Sequence, residues 1–399
     1  LSKIYNTGEI IDVRIEKIVP RGLGLGFAED LTVLVPLSAP DDILRVRIDE
    51  IKKKLAFASI IEIKDPGPDR TAPPCEYFGI CGGCDFQQMS YDAQLEAKVG
   101  IIRDCLNRIT KIEFEAEIPI IASPLEFGYR SRVRWHLDRE KQATGYFRRD
   151  SHEVINIREC PIITPGLQAK LNSLGNSIDW ASIGSEGAEL EAATGGDGEV
   201  SINCDKMAEP ATDLSFGSDG VSYAFSAATF FQANTSLVPK LIEAAVGDTR
   251  GNEAFDLYCG VGLFTLPLAK RFASVTGVEG NHLAMEFARK NCRGAGLSNV
   301  RLVSKGVSKF LAENQKKKID LVLIDPPRSG TEKGTIPAIA GLDADQISYV
   351  SCEPSILARD LRIFLDTGFR IASITALDLF PQTHHVETVV RLSRAKARG

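Results

Sequence analysis

Apolar positions recur along this chain with two different periods, and the changes of period divide it. Up to residue 63, short runs alternate apolar with polar residues. Examples are Glu9-Ile10-Ile11-Asp12-Val13-Arg14-Ile15 and Leu31-Thr32-Val33-Leu34-Val35, with turn signals between. A period of two sends one side of each run into a core and the other into water, which predicts a small all-β unit over residues 1–63. The stretch Arg21-Gly22-Leu23-Gly24-Leu25-Gly26 lies between strand patterns with no helix after it, so it is not a dinucleotide loop. Asp65-Pro66-Gly67-Pro68-Asp69 reads as the linker that ends the unit.

Beyond the linker the period lengthens. Leu95, Val99, Ile102, Leu106 and Ile109 recur at helical spacing between Tyr91 and Thr110. Alternation returns in Tyr129-Arg130-Ser131-Arg132-Val133-Arg134-Trp135-His136 and sets the three arginines on one face of a strand. Residues 170–222 carry no strong period, and Thr194-Gly195-Gly196-Asp197-Gly198 is expected to be a hairpin tip or loop. From Phe225, strand-length apolar runs alternate with helical ones, the order that builds a parallel sheet. The expected strands are 254–258, 274–278, 319–324, 347–350 and 388–392, with a helix after Pro354. The whole is an α/β chain with three expected domains, 1–63, 64–222 and 223–399.

Composition narrows the function classes. A chain of 399 residues exceeds one ordinary core, and 44% hydrophobic with 25% charged residues is globular. No apolar run approaches the roughly 18 residues of a membrane span, and no signal-peptide layout opens the chain. Nine cysteines, an odd number that includes a Cys-x-x-Cys pair, favour a reducing cytoplasm and metal ligation over a disulfide framework. A net charge of −6 excludes a globally basic coat, so nucleic acid must be met by a local patch. A monomer is the default expectation.

Candidate chemistry falls in five places. Cys75-Glu76-Tyr77-Phe78-Gly79-Ile80-Cys81-Gly82-Gly83-Cys84 brings three thiols together, and Cys160, before Pro161, is the candidate fourth ligand. Four thiolates suit either a [4Fe–4S] cluster or structural zinc. Arg130, Arg132 and Arg134, with Tyr146-Phe147-Arg148-Arg149, form a basic and aromatic patch that suits single-stranded RNA, or else a solvated strand face. Lys52-Lys53-Lys54 adds charge to the N-terminal unit, whose size suits an oligonucleotide-binding barrel or a generic β module. In the sheet, Gly260 and Gly262 follow the strand at 254–258 and allow a ligand close to the backbone. The third glycine of the dinucleotide fingerprint falls at Thr265, and Glu279 ends the next strand, placed for two ribose hydroxyls. A phosphate-free adenosine ligand, S-adenosylmethionine, fits best; a degenerate NAD-type domain is the alternative.

The last place is Ser351-Cys352-Glu353-Pro354, which joins a strand to a helix and presents Cys352 where open α/β sheets bind ligands. The helix N-terminus would favour a thiolate there. A small cysteine packed under a turn is the plain alternative. His384 and His385 precede Glu387 at the edge of the final strand; with no third ligand near, they suit packing or substrate contact better than metal.

Five ordered motifs carry a resemblance that spans nearly the whole chain. Phe230-Phe231-Gln232-Ala233-Asn234, Asp256-Leu257-Tyr258-Cys259-Gly260-Val261-Gly262, Asp325-Pro326-Pro327-Arg328-Ser329-Gly330, Ser351-Cys352-Glu353-Pro354 and residues 380–387 are similar to the catalytic motifs of S-adenosylmethionine-dependent RNA uridine-5-methyltransferases. The resemblance implies a Rossmann-like class I methyltransferase domain, an N-terminal TRAM barrel of OB-like form and a central α+β iron–sulfur domain. Cys75, Cys81, Cys84 and Cys160 then resemble the [4Fe–4S] ligands of the ribosomal-RNA branch. Gln232, Tyr258, Glu279 and Asp325 are implied cofactor contacts beside Gly260 and Gly262. Cys352 would add to carbon 6 of a uracil, and Glu387 would remove the carbon-5 proton after methyl transfer. RNA is the implied partner, 23S rRNA first and the tRNA T-loop as the alternative, met by Arg130, Arg132, Arg134, Arg148 and Arg149. Two positions depart from the pattern: Glu353 stands where Asn is common, and Leu263 where some members are polar. A non-catalytic iron–sulfur RNA-binding protein is the rival from another class.

Overall fold

The computed structural model describes residues 4–206, 210–314 and 318–394. The chain forms two compact units. The first holds the chain up to Phe114 with Phe147–Glu153 and Phe380–His385; the second holds Glu115–Tyr146, Val154–Leu379 and the chain from Val386.

In the first unit, β1 (Ile10–Val19), β2 (Leu23–Ala28), β3 (Leu31–Pro36), β4 (Ile43–Lys52) and β5 (Leu55–Asp65) close into a barrel in the order β1-β2-β3-β5-β4. The period-two residues point inward as expected: Ile11, Val13 and Ile15 meet Val33, Val35, Leu44, Val46 and Ile48 in one core. Closure pairs every strand and leaves no open edge. Gly24 explains the glycine-rich strand, since a Cβ there would lie 1.9 Å from Ser38 Oγ. The chain at 66–90 contains neither helix nor named strand. It ends at Ser90, whose Oγ accepts from Ala93 N at 3.3 Å and caps α1 (Tyr91–Cys105). The helix is where the spacing predicts it, but its deepest stripe is Ala93, Gln94, Lys98, Ile101, Ile102 and Cys105. Leu95 and Val99 are only half-buried, so two polar side chains take the places expected for apolar ones.

The second unit contains β6 (Ile120–Ile121) and a five-stranded antiparallel sheet. Its strands are β7 (Arg132–Asp138), β8 (Ala143–Phe147), β9 (Val154–Asn156), β10 (Ala188–Thr194) and β11 (Val200–Asn203), ordered β11-β10-β7-β8-β9. Val133, Trp135 and Leu137 face its core, and α2 (Pro165–Ser177) lies between β9 and β10 in sequence. A hairpin of β12 (Leu214–Ser218) and β13 (Val221–Phe225) turns at Asp219-Gly220, both left-handed, as short hairpin turns require.

The main sheet follows. In chain order come α3 (Val238–Val246), β14 (Gly251–Leu257), α4 (Thr265–Ala269), β15 (Phe272–Glu279), α5 (His282–Gly294), β16 (Val300–Ser304), α6 (Val307–Glu313) and β17 (Lys318–Ile324). After them come α7 (Thr335–Ala340), β18 (Asp343–Ser351), α8 (Pro354–Asp366), β19 (Phe369–Leu377) and β20 (Glu387–Arg394). The strand order is β16-β15-β14-β17-β18-β20-β19-β6. The strands from β16 to β18 are parallel neighbours, whereas β20 runs antiparallel to both β18 and β19. The chain leaves β14 towards β15 on one side and returns to β17 on the other. That reversal opens a crevice at the carboxyl end of β14, the usual ligand position in such sheets. Among the described residues, no helix is long and apolar enough to cross a membrane.

Candidate active site

The crevice is floored by the turn after β14. Tyr258, Gly260 and Gly262 all take positive φ, at 65°, 53° and 94°. A residue with a Cβ resists that conformation, so two of the three are glycine. The Cβ position of Gly260 faces open space, with nothing within 4 Å. Glu279, at the end of β15, accepts from Gly260 N at 3.1 Å through Oε2 and from Asn281 N at 2.6 Å through Oε1. Each carboxylate oxygen has a second lone pair left for a ligand hydroxyl. Asp256, fully buried on β14, accepts from Thr265 Oγ1 at 2.5 Å, while its other oxygen has no hydrogen-bond partner among the described residues. Burial raises its pKa to about 7 against the opposing Thr265 bond. Thr265 therefore replaces the third fingerprint glycine with a hydrogen bond to the strand.

Sequence reasoning missed the clamp behind this turn. Asn291, buried on α5, donates to Val261 O at 2.9 Å and Ala224 O at 3.0 Å and accepts from Ala224 N at 2.7 Å. An amide on the apolar face of an otherwise amphipathic helix was the available signal. Tyr258 Oη donates to Glu332 Oε2 at 2.5 Å, which ties the turn to the chain after Asp325.

The second half of the site is built by register. In the β17–β18 ladder Ile324 pairs with Tyr349, so Asp325 and Ser351–Cys352 leave the sheet at the same edge. The β18–β20 ladder is antiparallel and pairs Ser351 with Thr388, which brings the buried Glu387 opposite Cys352. Asp325 N also donates to Leu257 O at 3.3 Å, joining this edge to the β14 turn. Three acids and a thiol thus crowd one water-poor edge. Burial, with the charges of Glu387 and then Asp256, holds the Asp325 carboxyl well above the usual range. Burial raises Glu387 to about 7, opposed by the Arg328 charge.

Cys352 corrects one expectation. Burial first, and then the charge of Glu387, push its thiol up to about 12, while the Arg328 guanidinium pulls it down and donates a hydrogen bond to it. The α8 N-terminus alone does not produce a thiolate. Arg328 is a second residue that sequence reasoning passed over as a mere motif position.

The remaining expected residues divide. Gln232 is buried in the second unit, where Ser131 Oγ donates to its carbonyl at 3.3 Å. Arg132 donates to Thr229 O at 2.6 Å and Ala227 O at 2.7 Å, so its guanidinium braces the segment beside Gln232. Arg130 Nε donates to Arg132 O at 3.1 Å. Arg134 is the exposed one of the three and pairs with Glu191 at 3.1 Å. In the first unit, Arg148 is half-exposed beside Glu153 at 2.7 Å, whereas Arg149 donates to Asp85 at 3.2 Å and Cys84 O at 2.7 Å.

No cysteine is in a disulfide. Cys75, Cys81 and Cys84 are half-buried in the first unit, and Cys160 belongs to the second. Among the described residues no group of three or more His, Cys, Asp or Glu side chains is disposed to hold a metal ion. The placement therefore gives no support to the four-thiolate set that spacing predicts.

Known proteins resemble this chain in sequence and fold. The tRNA (uracil-5-)-methyltransferase family profile matches residues 200–395. A Thermosynechococcus vestitus protein described as an uncharacterised RNA methyltransferase is 30% identical, over 98% of this chain and 99% of its own. The chain belongs to the RNA (uracil-5-)-methyltransferase family. Within it, the 23S rRNA (uracil(1939)-C(5))-methyltransferase of Pectobacterium atrosepticum is 29% identical over 95% of this chain and 92% of its own. The crystal structure of the Pyrococcus abyssi tRNA (uracil-54, C5)-methyltransferase with S-adenosyl-L-homocysteine aligns at a TM-score of 0.73. That likeness covers 96% of this chain and all of the other, at 26% identity. The mixed α/β methyltransferase fold is thus shared over both units.

Proposed function

We propose that this family member transfers a methyl group from S-adenosylmethionine to carbon 5 of a uridine in 23S rRNA through a covalent adduct with Cys352. The observation that carries the proposal is the convergence of Cys352, Glu387, Asp325 and Arg328 at one sheet edge, joined to a ribose-ready carboxylate at the next. The β14 turn fits the cofactor: Gly260 opens onto free space, Glu279 retains lone pairs, and Asp256 has a buried oxygen with no hydrogen-bond partner among the described residues. Gln232, Tyr258, Gly260, Gly262, Glu279 and Asp325 are the residues proposed to hold it. When bound, it supplies an electrophilic methyl on sulfur.

The protein's part follows from uracil chemistry. Carbon 5 is a weak nucleophile until a thiolate adds at carbon 6 and turns the ring into an enolate. Cys352 supplies that sulfur, and the Arg328 hydrogen bond favours its ionised form as the base fills the pocket. After methyl transfer carbon 5 still carries its proton. Glu387 takes it, the C–H electron pair becomes the 5,6 double bond, and the carbon–sulfur bond breaks to return the Cys352 thiolate. Asp325 orients the groups between the two halves. A paired uracil cannot reach such a pocket, so the target is unstacked RNA. Arg134 and Arg148 are its proposed contacts, with Arg130, Arg132 and Arg149 supporting the segments that present them.

The finer assignments rest on sequence. Domains at 1–63, 64–222 and 223–399, the first a TRAM barrel, are kept as the functional division, in the cytoplasm. A [4Fe–4S] cluster on Cys75, Cys81, Cys84 and Cys160 is supported by spacing alone, and no step above passes through it. About four iron and four sulfide per chain after anaerobic purification support it, and their absence removes it. The substrate is tested with labelled S-adenosylmethionine and separate unmodified 23S rRNA and tRNA transcripts. Label in rRNA at carbon 5 of uridine supports the reading; label in the tRNA T-loop reassigns the substrate and keeps the chemistry.

A further inference from the structure

Tyr258 is the odd member of the left-handed turn after β14. Gly260 and Gly262 take positive φ freely, whereas Tyr258 holds φ 65° with a side chain attached, a conformation such residues resist. The sheet fixes its backbone on either side. Leu257 pairs with both Val278 and Ile324, and Cys259 N donates to Val278 O at 3.0 Å. The ring turns about two side-chain torsions, so the sheet alone does not place it. Its hydroxyl does: Tyr258 Oη donates to Glu332 Oε2 at 2.5 Å. Burial, and then the Glu332 carboxylate, raise the phenol's pKa and keep it a donor.

Glu332 is itself held from behind. Thr335, buried at the start of α7, donates through Oγ1 to the same Glu332 oxygen at 3.3 Å and through N to Glu332 O at 3.1 Å. An exposed loop glutamate ordinarily leaves its carboxylate to water. This one, though exposed, bridges a buried threonine and a tyrosine 74 residues back in the chain. All three side chains belong to the second unit. The stretch that carries Arg328 is fastened separately. Gly330 N donates to Pro327 O at 2.8 Å, and Gly330 lies so close to α8 that a Cβ would come 3.1 Å from Ile356 Cγ2. Loss of the Glu332 bond therefore frees the Tyr258 ring and leaves the thiol's side of the crevice in place.

We propose that Glu332 is a positioning residue for cofactor binding: its carboxylate fixes the Tyr258 ring where the methyl donor meets it. The inference rests on the reading of the β14 turn as the S-adenosylmethionine site, and it adds a residue outside the five sequence motifs. A ring already held in place loses little freedom when the ligand arrives, so the bond acts on affinity. It makes no demand on Cys352 or Glu387, so the chemical step at saturating cofactor is spared.

The test compares the parent with Glu332→Ala, Glu332→Gln, Tyr258→Phe and the Tyr258→Phe, Glu332→Ala double variant. S-adenosylmethionine binding is measured by calorimetry, and KM and kcat on the RNA transcript that the chain methylates. Glu332→Ala is expected to weaken binding and raise the cofactor KM roughly 5- to 20-fold, with kcat within about twofold. Tyr258→Phe should weaken binding by a similar factor, and it tests the same bond if Glu332→Ala does not fold. The double variant should fall no more than about twofold below the weaker single one, because both changes remove one bond. Glu332→Gln keeps an acceptor oxygen and is expected to recover binding to within about threefold of the parent. Losses that multiply in the double variant, Glu332→Gln no better than Glu332→Ala, or kcat falling in place of affinity overturns the inference. A parent that binds no S-adenosylmethionine overturns the reading of the crevice instead.

Discussion

Cys352 and the trio Cys75, Cys81 and Cys84 are the same side chain in two kinds of structure. Cys352 ends a ladder strand, and hydrogen-bonded register decides what lies beside it: Ser351 pairs with Thr388, so Glu387 is its neighbour. The trio lies in a stretch without helix or named strand, where no register relates one thiol to the next. At the sheet edge the fold itself brings a thiol and carboxylates together; in the loop, spacing gives proximity in sequence and the described structure forms no metal-holding group. Motif spacing is evidence of chemistry to the degree that regular structure converts it into geometry.

The sharpest way to break the contrast is to remove Cys352. Cys352→Ala is expected to lower product formation by about 10⁴-fold or more and to abolish the protein–RNA adduct, with cofactor binding retained. Substituting Cys81→Ser in the loop should leave the adduct-forming step intact, and its loss there would dissolve the distinction. Glu387→Gln is expected to slow turnover about 10²- to 10⁴-fold while adduct accumulates, read by the ratio of adduct to product.

The pKa of Glu387 adds a direction. With Glu387 as the proposed base, the carboxylate is the form that acts, so elimination should quicken as pH rises through about 7 and level off above it. Stability runs the other way. The unfolded side chain ionises near 4.5 and the folded one near 7, so this group's contribution is present below 4.5 and lost as pH rises to 7. Glu387→Gln should therefore be more stable than the parent by roughly 3 kcal/mol at pH 8, and about equally stable at pH 4. A flat difference across that range would contradict the buried edge.

Smaller effects sharpen the cofactor half and the RNA face. Asn291→Ala leaves Val261 O and both backbone groups of Ala224 without their partner and is expected to cost about 2–3 kcal/mol in urea unfolding. Cofactor affinity should fall with it. Arg134→Ala is expected to weaken RNA binding modestly and to lower its salt slope by about one. No change in slope would make Arg134 a solvated strand residue.

The main sheet was legible because its signals are periodic and punctuated. Strands expected at 254–258, 274–278, 319–324, 347–350 and 388–392 all correspond to strands in it, with Tyr258 falling in the turn after β14, and the barrel's alternation placed Val13 and Val33 inward. What stayed hidden were polar residues doing apolar work. Periodicity marks α1 by Leu95 and Val99, but Gln94 and Lys98 go deeper because their partners, Gln382 and Phe380, come from the far end of the chain. Asn291 and Arg328 are hidden for the same reason, since each acts through a contact that local sequence does not encode. The Cys352 thiol was misjudged because the helix terminus is local and visible, whereas the opposing acids arrive by strand pairing.

The most direct test of the account is mass spectrometry of Glu387→Gln after incubation with S-adenosylmethionine and the methylated RNA, followed by nuclease and protease digestion. The predicted result is a methylated uridine nucleotide linked to the peptide that carries Cys352, absent when Cys352→Ala is added. A methylated product released by the Cys352→Ala chain, or an adduct on any other residue, would contradict the central claim.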